Sequence, residues 1–454
     1  MQLKRDNELG AIVDDYRALA DAVAADIAVG RLRAGDRLPT QRRFARDRGI
    51  AVSTASRTYA ELARRGLVAG EVGRGTFVRA ASPPPSPVLA EPRPGVVDLE
   101  MNFPILDGQA ELLAVALAGL VRADGLRAGL APGRAAGTEA ARRATAQLLA
   151  GPGWAPDPEQ VLFAGNGRQA IAAAVGALVP VGGRLGVEAL TYPVTRTIAA
   201  RLGVEVVPLA VDGDGLQPDA VRAAGRLDAV FVQPTMHNPL GTTMPVARRR
   251  ELAAVLVDQD VPAIEDRVYS FLRDDPPPLA AFAPEHVVVV DSLSKRVAPG
   301  TTLGFVVPPT ARHQRVRGAI RAGGWLAPSF SVEAATRWMA DGVVAEIQRA
   351  KREDAARRQA LVAQRLAGFT VRADPAAYHC WWELPPPWRA ETFVAAAARR
   401  GIAVTPAASY AAGAGHAPSA VRLALATPPL DVLATTLDVL AGLGRGAPGD
   451  DGTE

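Results

Sequence analysis

Residues 291–305, DSLSKRVAPGTTLGF, decide how the rest of the chain is read. They follow the apolar run HVVVV (286–290), which reads as a buried strand. Ser292, Ser294 and Lys295 stand at its end, and Pro299-Gly300 supplies a turn. A lysine just past a strand end, beside two hydroxyls, is open to partial desolvation. Desolvation lowers its pKa and frees the amine to attack an aldehyde. A solvated loop lysine fits the fragment equally well, so the surrounding sequence decides.

Two further strand ends lie upstream. AIEDRVYS (263–270) ends in polar residues that include Asp266 and Tyr269, and VQPTMHNPLG (232–241) places Asn238 before a proline turn. An Asn-Pro turn, then Asp-x-x-Tyr, then Ser-x-Ser-Lys, each after a short apolar strand, resembles the order in fold-type I pyridoxal-phosphate (PLP) enzymes, the aspartate aminotransferase superfamily. The resemblance spans residues 96–443. Each motif alone is weak; the set is specific.

A length of 454 residues predicts two or three domains, and 48% hydrophobic with 22% charged content is ordinary for a globular chain. The Ala-rich runs are broken by Arg, Asp and Gly, so no membrane span is expected. The first residues, MQLKRDNELG, lack the apolar core of a signal peptide. A single cysteine, Cys380, excludes an intramolecular disulfide framework and suits a reducing cytoplasm, and five scattered histidines give no zinc spacing.

The basic excess is local. Residues 1–80 hold 15 Lys and Arg against 10 Asp and Glu, in a chain whose formal charge is +4. A segment that alone carries positive charge suits a polyanion. Ile12, Tyr16, Leu19, Val23 and Ile27 predict a helix over 11–29, stopped by Gly30. Thr40 is placed to cap a second helix over 41–47 that ends at Gly49. Ser53 is placed to cap a third that runs to Arg65 and ends at Gly66. LV (67–68) and TFV (76–78) read as strands around EVGRG (71–75), completing a winged helix-turn-helix.

The segment resembles the GntR-type DNA-binding domain through LPTQR (38–42), STASRTY (53–59) with Leu62, Gly66 and Leu67, and GRGTF (73–77). That resemblance implies a third helix in the major groove, with Ser53, Thr54 and Arg57 reaching base edges. Arg42 and Arg43 would meet phosphate or guanine, and Arg74 and Thr76 would carry the wing to the minor groove or backbone. Many family members have arginine where this chain has Val52, which removes one base contact.

Residues 80–95, with SPPPSP and EPRP, read as an extended linker. A DNA reader tethered to such a domain resembles the MocR regulators, GntR-type proteins fused to an aminotransferase-like domain. The expected α/β architecture is a winged helix-turn-helix at 1–79, a linker at 80–95 and a fold-type I PLP-dependent transferase domain at 96–443. Its small C-terminal α/β subdomain would occupy about 345–443, and a disordered tail 444–454.

MNFP (101–104) is expected to cross near the pocket. GNGRQAI (165–171), between a strand and an Ala-rich helix, is a glycine turn at a helix start, where free N–H groups and the dipole suit an anion. The resemblance implies that it holds the PLP phosphate through Gly167, Arg168 and Gln169, with Ser292 and Ser294. It further implies Lys295 as the lysine that joins the cofactor and Asp266 as partner of the pyridine nitrogen. Asn238 and Tyr269 would bond the ring's phenolic oxygen, and Tyr192 would stack on the ring. Alternating strands and helices imply a mostly parallel sheet. Arg422, in the apolar run VRLALA (421–426), needs a partner; the superfamily's matching arginine clamps an amino acid's α-carboxylate.

One departure is sharp. MocR proteins commonly carry a phosphate-gripping arginine two residues after Pro-Gly, and Thr302 stands there. A hydroxyl replaces a bidentate, charge-assisted contact. Arg168, Arg196 and Arg296 are the candidates to compensate.

These readings make the chain a transcription regulator of double-stranded operator DNA. Its aminotransferase-like domain would bind PLP through Lys295 and sense PLP or an amino-acid effector, and the resemblance implies a head-to-tail homodimer. The alternatives are a working PLP-dependent aminotransferase with a vestigial DNA module, and a scaffold that ignores PLP. Lys295, Asp266 and Arg422 would serve regulator and enzyme alike. Purified protein mixed with PLP is predicted to gain a visible absorption band that Lys295→Ala abolishes. No band in the wild type, with nothing changed by Lys295→Ala, contradicts the reading.

Overall fold

The computed structural model describes residues 16–28, 31–32, 36–65, 67–71, 75–78, 95–274, 276–413 and 417–447. The chain divides into two compact units, 1–88 and 89–454. The expected linker, apart from Gly95, lies outside the described residues, as do residues 11–15, 29–30 and 448–454.

In the first unit, helices Tyr16–Ala28, Gln41–Arg48 and Val52–Arg64 precede a hairpin of Val68–Glu71 with Gly75–Val78. Thr40 caps the second helix by accepting from Arg43 N at 3.3 Å, and Gly49 ends it at φ 65°, where a side chain would be strained. The third helix corrects the sequence reading. It starts at Val52 with Ala51 at the cap position and no side-chain cap, so Ser53 lies inside the first turn. Its start is set by burial of Ala55, Tyr59 and Leu62 rather than by a hydroxyl. The Tyr59 ring meets Phe44 edge-on at 5.4 Å, and its hydroxyl donates to Pro39 O at 2.5 Å.

The second unit is built on a seven-stranded sheet. Its order is Leu162–Ala164, Gly304–Val307, Val287–Ser292, Ala263–Asp266, Ala229–Val232, Arg184–Glu188, Glu205–Leu209. All neighbours are parallel except those of Gly304–Val307, which is antiparallel to both. The link from Ser292 to Gly304 holds only the short helix Leu293–Arg296 and one turn, too short for a parallel crossover. Apolar runs without polar alternation fit a sheet covered on both faces. Val287 and Val289 enter one core with Val230 and Val232; Val288 and Val290 enter the other with Phe231 and Ile264. Helices such as Val246–Asp258 cover the first face, and Gly167–Leu178 the second.

The helix Val343–Arg365 leads to a second sheet, ordered Thr370–Arg372, His379–Glu383, Ala420–Ala424, Ile402–Pro406, Val97–Leu99. The edge strand Val97–Leu99 pairs in parallel with Ile402–Pro406, so the first strand of the unit belongs to the small subdomain. The last helix, Leu430–Arg445, runs two residues past the expected boundary at 443, and Trp388 Nε1 donates to Gly446 O at 2.8 Å. No helix among the described residues is long and apolar enough to cross a membrane.

Candidate functional site

In the first unit, Arg42, Arg43, Ser53 and Arg57 are exposed, and Arg43 Nε lies 3.6 Å from Asp47 Oδ2. Thr54 does not join them. It is only 9% exposed, because it shares the inner stripe with Ala55 and Thr58, whose Oγ1 donates to Thr54 O at 2.9 Å. Thr76 is half-buried, and its carbonyl accepts from Leu38 N at 2.8 Å. Arg74 lies outside the described residues. Val52 is exposed at the first position of the third helix.

In the second unit, strand ends of the larger sheet deliver a cluster of polar groups. Lys295, partly buried on Leu293–Arg296, donates from Nζ to Asn102 O at 2.6 Å, and Nζ lies 3.4 Å from the Phe103 ring centroid. Desolvation holds the Lys295 amine well below the usual lysine range. The charges of Arg422, Arg168 and Lys351 act in the same direction, against Asp266. Asp266 ends its strand 5% exposed, with Oδ1 accepting from Val268 N at 3.0 Å. Burial, helped by Asp291 and Glu188, pushes its carboxyl up to about 7, against the Val268 N–H and Lys295.

Tyr269 accepts from Asn102 Nδ2 at 3.1 Å, and burial pushes its phenol up. Burial also raises Tyr192, against the Arg168 guanidinium that bonds it. Asn238 donates its backbone N–H to Gln233 Oε1 at 2.9 Å, while its own Oδ1 has no partner among the described residues. Glu188 Oε2 supports this loop by accepting from Gln233 N at 3.2 Å, and it lies 3.0 Å from His237 Nε2. His379 closes the wall, 3.0 Å from His237 O and with ring centroids 5.5 Å from Tyr269; burial pushes its imidazole down to about 3.

A chain of hydroxyls faces the start of Gly167–Leu178. Ser292 Oγ donates to Ser294 Oγ at 3.0 Å, and Ser294 Oγ lies 2.5 Å from Thr302 Oγ1. Asn166 caps the helix by accepting from Gln169 N at 2.9 Å. A Cβ on Gly167 would fall 2.9 Å from Ser292 Oγ, and one on Gly304 would fall 2.3 Å from Asn166 O. Only glycine at both positions lets the helix start and the hydroxyls approach this closely. The result can receive an anion.

The three arginines proposed to compensate for Thr302 separate cleanly. Arg296 is 3% exposed and bound to Asp291 Oδ2 at 2.5 Å and Gln348 Oε1 at 3.1 Å. Arg196 is committed to the carbonyls of Ala411 and Ser409. Arg168, in the first turn of Gly167–Leu178, is exposed and bonds only Tyr192 among the interactions described. Arg422 is 5% exposed; it donates to Glu100 O and lies 3.4 Å from Thr405 Oγ1, and its Nε has no partner. No carboxylate among the described residues pairs with it.

The sequence reading named most of this cluster but missed Asn102, Phe103, His379 and Lys351. MNFP was expected nearby without assigned contacts. Lysine rarity was the available signal for Lys351: the chain's 51 Lys and Arg include only three lysines, Lys4, Lys295 and Lys351. No signal marks His379 in the sequence.

Residues 94–440 match the family of aminotransferases of class I and II, and residues 15–78 match the gntR family of bacterial regulatory proteins. The chain is 30% identical to the HTH-type transcriptional regulator YdeF of Bacillus subtilis over 418 residues, which are 91% of this chain and 90% of YdeF. It is 30% identical to the HTH-type transcriptional regulator TauR of Rhodobacter capsulatus, over 67% of this chain and 69% of TauR. Among solved structures, the α-aminoadipate aminotransferase LysN from Thermus thermophilus superposes with a TM-score of 0.70 at 20% identity, covering 78% of this chain and 93% of LysN.

The raised Asp266 pKa makes a pH prediction. A carboxyl raised to about 7 contributes stability that is present below its unfolded pKa of about 4 and is lost as pH rises through about 7. Asp266→Asn is therefore expected to raise the melting temperature of the unliganded protein, relative to wild type, more at pH 8 than at pH 5. Thermal melts of both proteins at both pH values check this; a difference that does not change with pH contradicts it.

Proposed function

Because the chain belongs to the MocR-type regulators, in which a gntR-family domain precedes an aminotransferase class I and II domain, we propose that its second unit binds PLP at Lys295 and that occupancy there sets the grip of the first unit on DNA. One observation carries the reading: a desolvated primary amine, Lys295, stands among a buried carboxyl, Asp266, and the guanidiniums of Arg168 and Arg422. Bound PLP supplies an aldehyde for a primary amine and a ring that draws electrons from a condensed amino acid.

The chain's own atoms suit that group. Lys295 is held toward the neutral form that can act as a nucleophile. Asp266 turns one carboxylate oxygen to Val268 N and leaves the other for a ring nitrogen; with a carboxyl near 7, the ion pair would strengthen as Asp266 ionises. Asn238 and Tyr269 offer side chains to a phenolic oxygen, and Tyr192 offers its ring face. The close approach at Gly167 and the Ser292–Ser294–Thr302 hydroxyls receive the phosphate, with Arg168 as its cation in place of an arginine at 302.

Arg422 gives the effector its chemistry. A buried guanidinium satisfied only by carbonyl and hydroxyl oxygens favours an anion of opposite charge. An amino-acid carboxylate would pair with that guanidinium, while the amino group would condense with the aldehyde that PLP brings to Lys295. The ligand changes DNA affinity only by its differential affinity for two states of the protein. Ile105, Val115, Val121, Leu130 and Phe330 are exposed apolar side chains of the second unit, most of them on or beside helices Gln109–Leu117, Ala123–Gly129 and Ser329–Ala340, a face suited to a second copy. The working unit is accordingly a homodimer, and the single Cys380 suits a reducing cytoplasm. On DNA, Ser53 and Arg57 face bases and Arg42 the backbone.

Binding to DNA flanking the gene, followed by fluorescence anisotropy, tests the proposal. Arg57→Ala is expected to weaken binding about tenfold or more, the loss of one good base contact. Added PLP should change the wild-type Kd and leave that of Lys295→Ala unmoved, while Arg422→Met should remove any further response to an amino-acid panel. A wild-type Kd indifferent to PLP, or an unaltered PLP response in Lys295→Ala, overturns the proposal. Turnover of amino acids with a keto acid in the same preparation would favour the aminotransferase reading.

A further inference from the structure

We propose that Lys351 is the positioning residue of the cofactor lysine: its amine ties the turn that carries Lys295 to the long helix Val343–Arg365. The proposal rests on the reading that Lys295 is the reactive amine.

Lys351 is 0% exposed. Its Nζ donates to Lys295 O at 2.9 Å and to Val297 O. Two carbonyls of one turn, on either side of Arg296, are thus held by one side chain. The same helix face secures the turn a second time, since Gln348 Oε1 accepts from Arg296 Nη1 at 3.1 Å. Residues 348 and 351 lie three apart, on one side of the helix. One turn on, the contacts pass to the small subdomain. Tyr378 Oη lies 2.9 Å from both Lys351 O and Asp354 Oδ2, Arg358 donates to Leu425 O and Pro428 O at 2.6 Å, and Gln359 Nε2 donates to Ala377 O at 2.7 Å. The helix is therefore bonded to the reactive turn along its first half and to the small subdomain along its second.

The residue type is informative. In a chain where 48 of the 51 basic side chains are arginine, lysine stands at 295 and 351. At 295 the chemistry requires an amine that can lose its proton, which a guanidinium does not do. At 351 a compact head with up to three donors reaches two carbonyls inside the core. Burial brings the Lys351 amine down to about 7, with Asp354 opposing. The hydrogen bonds to carbonyls need only its N–H groups and persist in either protonation state. When protonated, its charge joins those of Arg422 and Arg168 against Asp266 in favouring a neutral Lys295.

With three lysines in the chain, the test reads each amine separately. Full-length protein without cofactor is trace-labelled with acetic anhydride across a pH series, and the Lys295 peptide is quantified by mass spectrometry. PLP affinity is measured in parallel from absorbance. In Lys351→Met the Lys295 labelling midpoint should move upward by about one unit, as a neighbouring cation is lost and the turn loosens. PLP binding should weaken about tenfold, the effect of losing a hydrogen bond to the turn. Lys351→Gln, which keeps an N–H donor, should recover part of the PLP affinity and still show the raised midpoint. The proposal is overturned if folded Lys351→Met keeps both the wild-type midpoint and the wild-type PLP affinity, including the case where only the melting temperature falls. If Lys351→Met does not fold, Lys351→Gln decides: wild-type midpoint and wild-type PLP affinity together overturn the proposal. Wild-type protein that shows a depressed Lys295 midpoint but no PLP band would sink the cofactor reading and leave the role of Lys351 to be read from the midpoints alone.

Discussion

A buried strand must end somewhere, and the first polar groups beyond it inherit its low-dielectric surroundings. Val287–Ser292 lies third in a seven-stranded sheet and is covered on both faces, so Asp291, Ser292 and Lys295 emerge where water is scarce. Charge is expensive there unless it is paired. Asp291 meets Arg296 at 2.5 Å, and that pair, with Gln348 and Lys351, fixes the turn. Lys295 has no such carboxylate at contact distance among the described residues, and burial holds its amine below the usual lysine range. Asp266 ends the adjacent parallel strand, and its raised carboxyl follows from the same burial.

The segment after Val97–Leu99 joins this chemistry to the small subdomain. Glu100 O accepts from Arg422, and two residues on, Asn102 O accepts from Lys295 at 2.6 Å. Asn102 Nδ2 donates to Tyr269, and Thr427 Oγ1 donates to Met101 O at 2.8 Å. A ligand that took its carboxylate to Arg422 and its amine to Lys295 would displace bonds to the same few residues. Interfaces of this kind tend to hold one of two arrangements rather than deform gradually, which is what a switch requires.

Much of this was legible because burial and spacing leave marks in a sequence. The valine run gave the central strand, and the polar residues after each apolar run gave Asp266, Asn238 and Lys295. Thr40 and Gly49 gave the ends of the second DNA-unit helix. What the sequence hid depends on tertiary pairing. Val97–Leu99 is too short to announce that it pairs with Ile402–Pro406, about 300 residues away in the chain. Ser53 looked like a cap, but packing of Ala55, Tyr59 and Leu62 set the helix start two residues earlier and turned Thr54 inward. Nothing in the run GRQ distinguished Arg168 from Arg196 or Arg296 as an available cation; that needed the partners of the other two.

The central claim is that one amine, and no other, is built to take an aldehyde. Incubating the full-length protein with PLP, reducing with borohydride and mapping the adduct by peptide mass spectrometry reads this directly, since besides the α-amine the only side-chain amines are those of Lys4, Lys295 and Lys351. The account predicts a single stoichiometric phosphopyridoxyl group on the peptide that contains Lys295. An adduct spread over Lys4 or Lys351, or none above background, would contradict it.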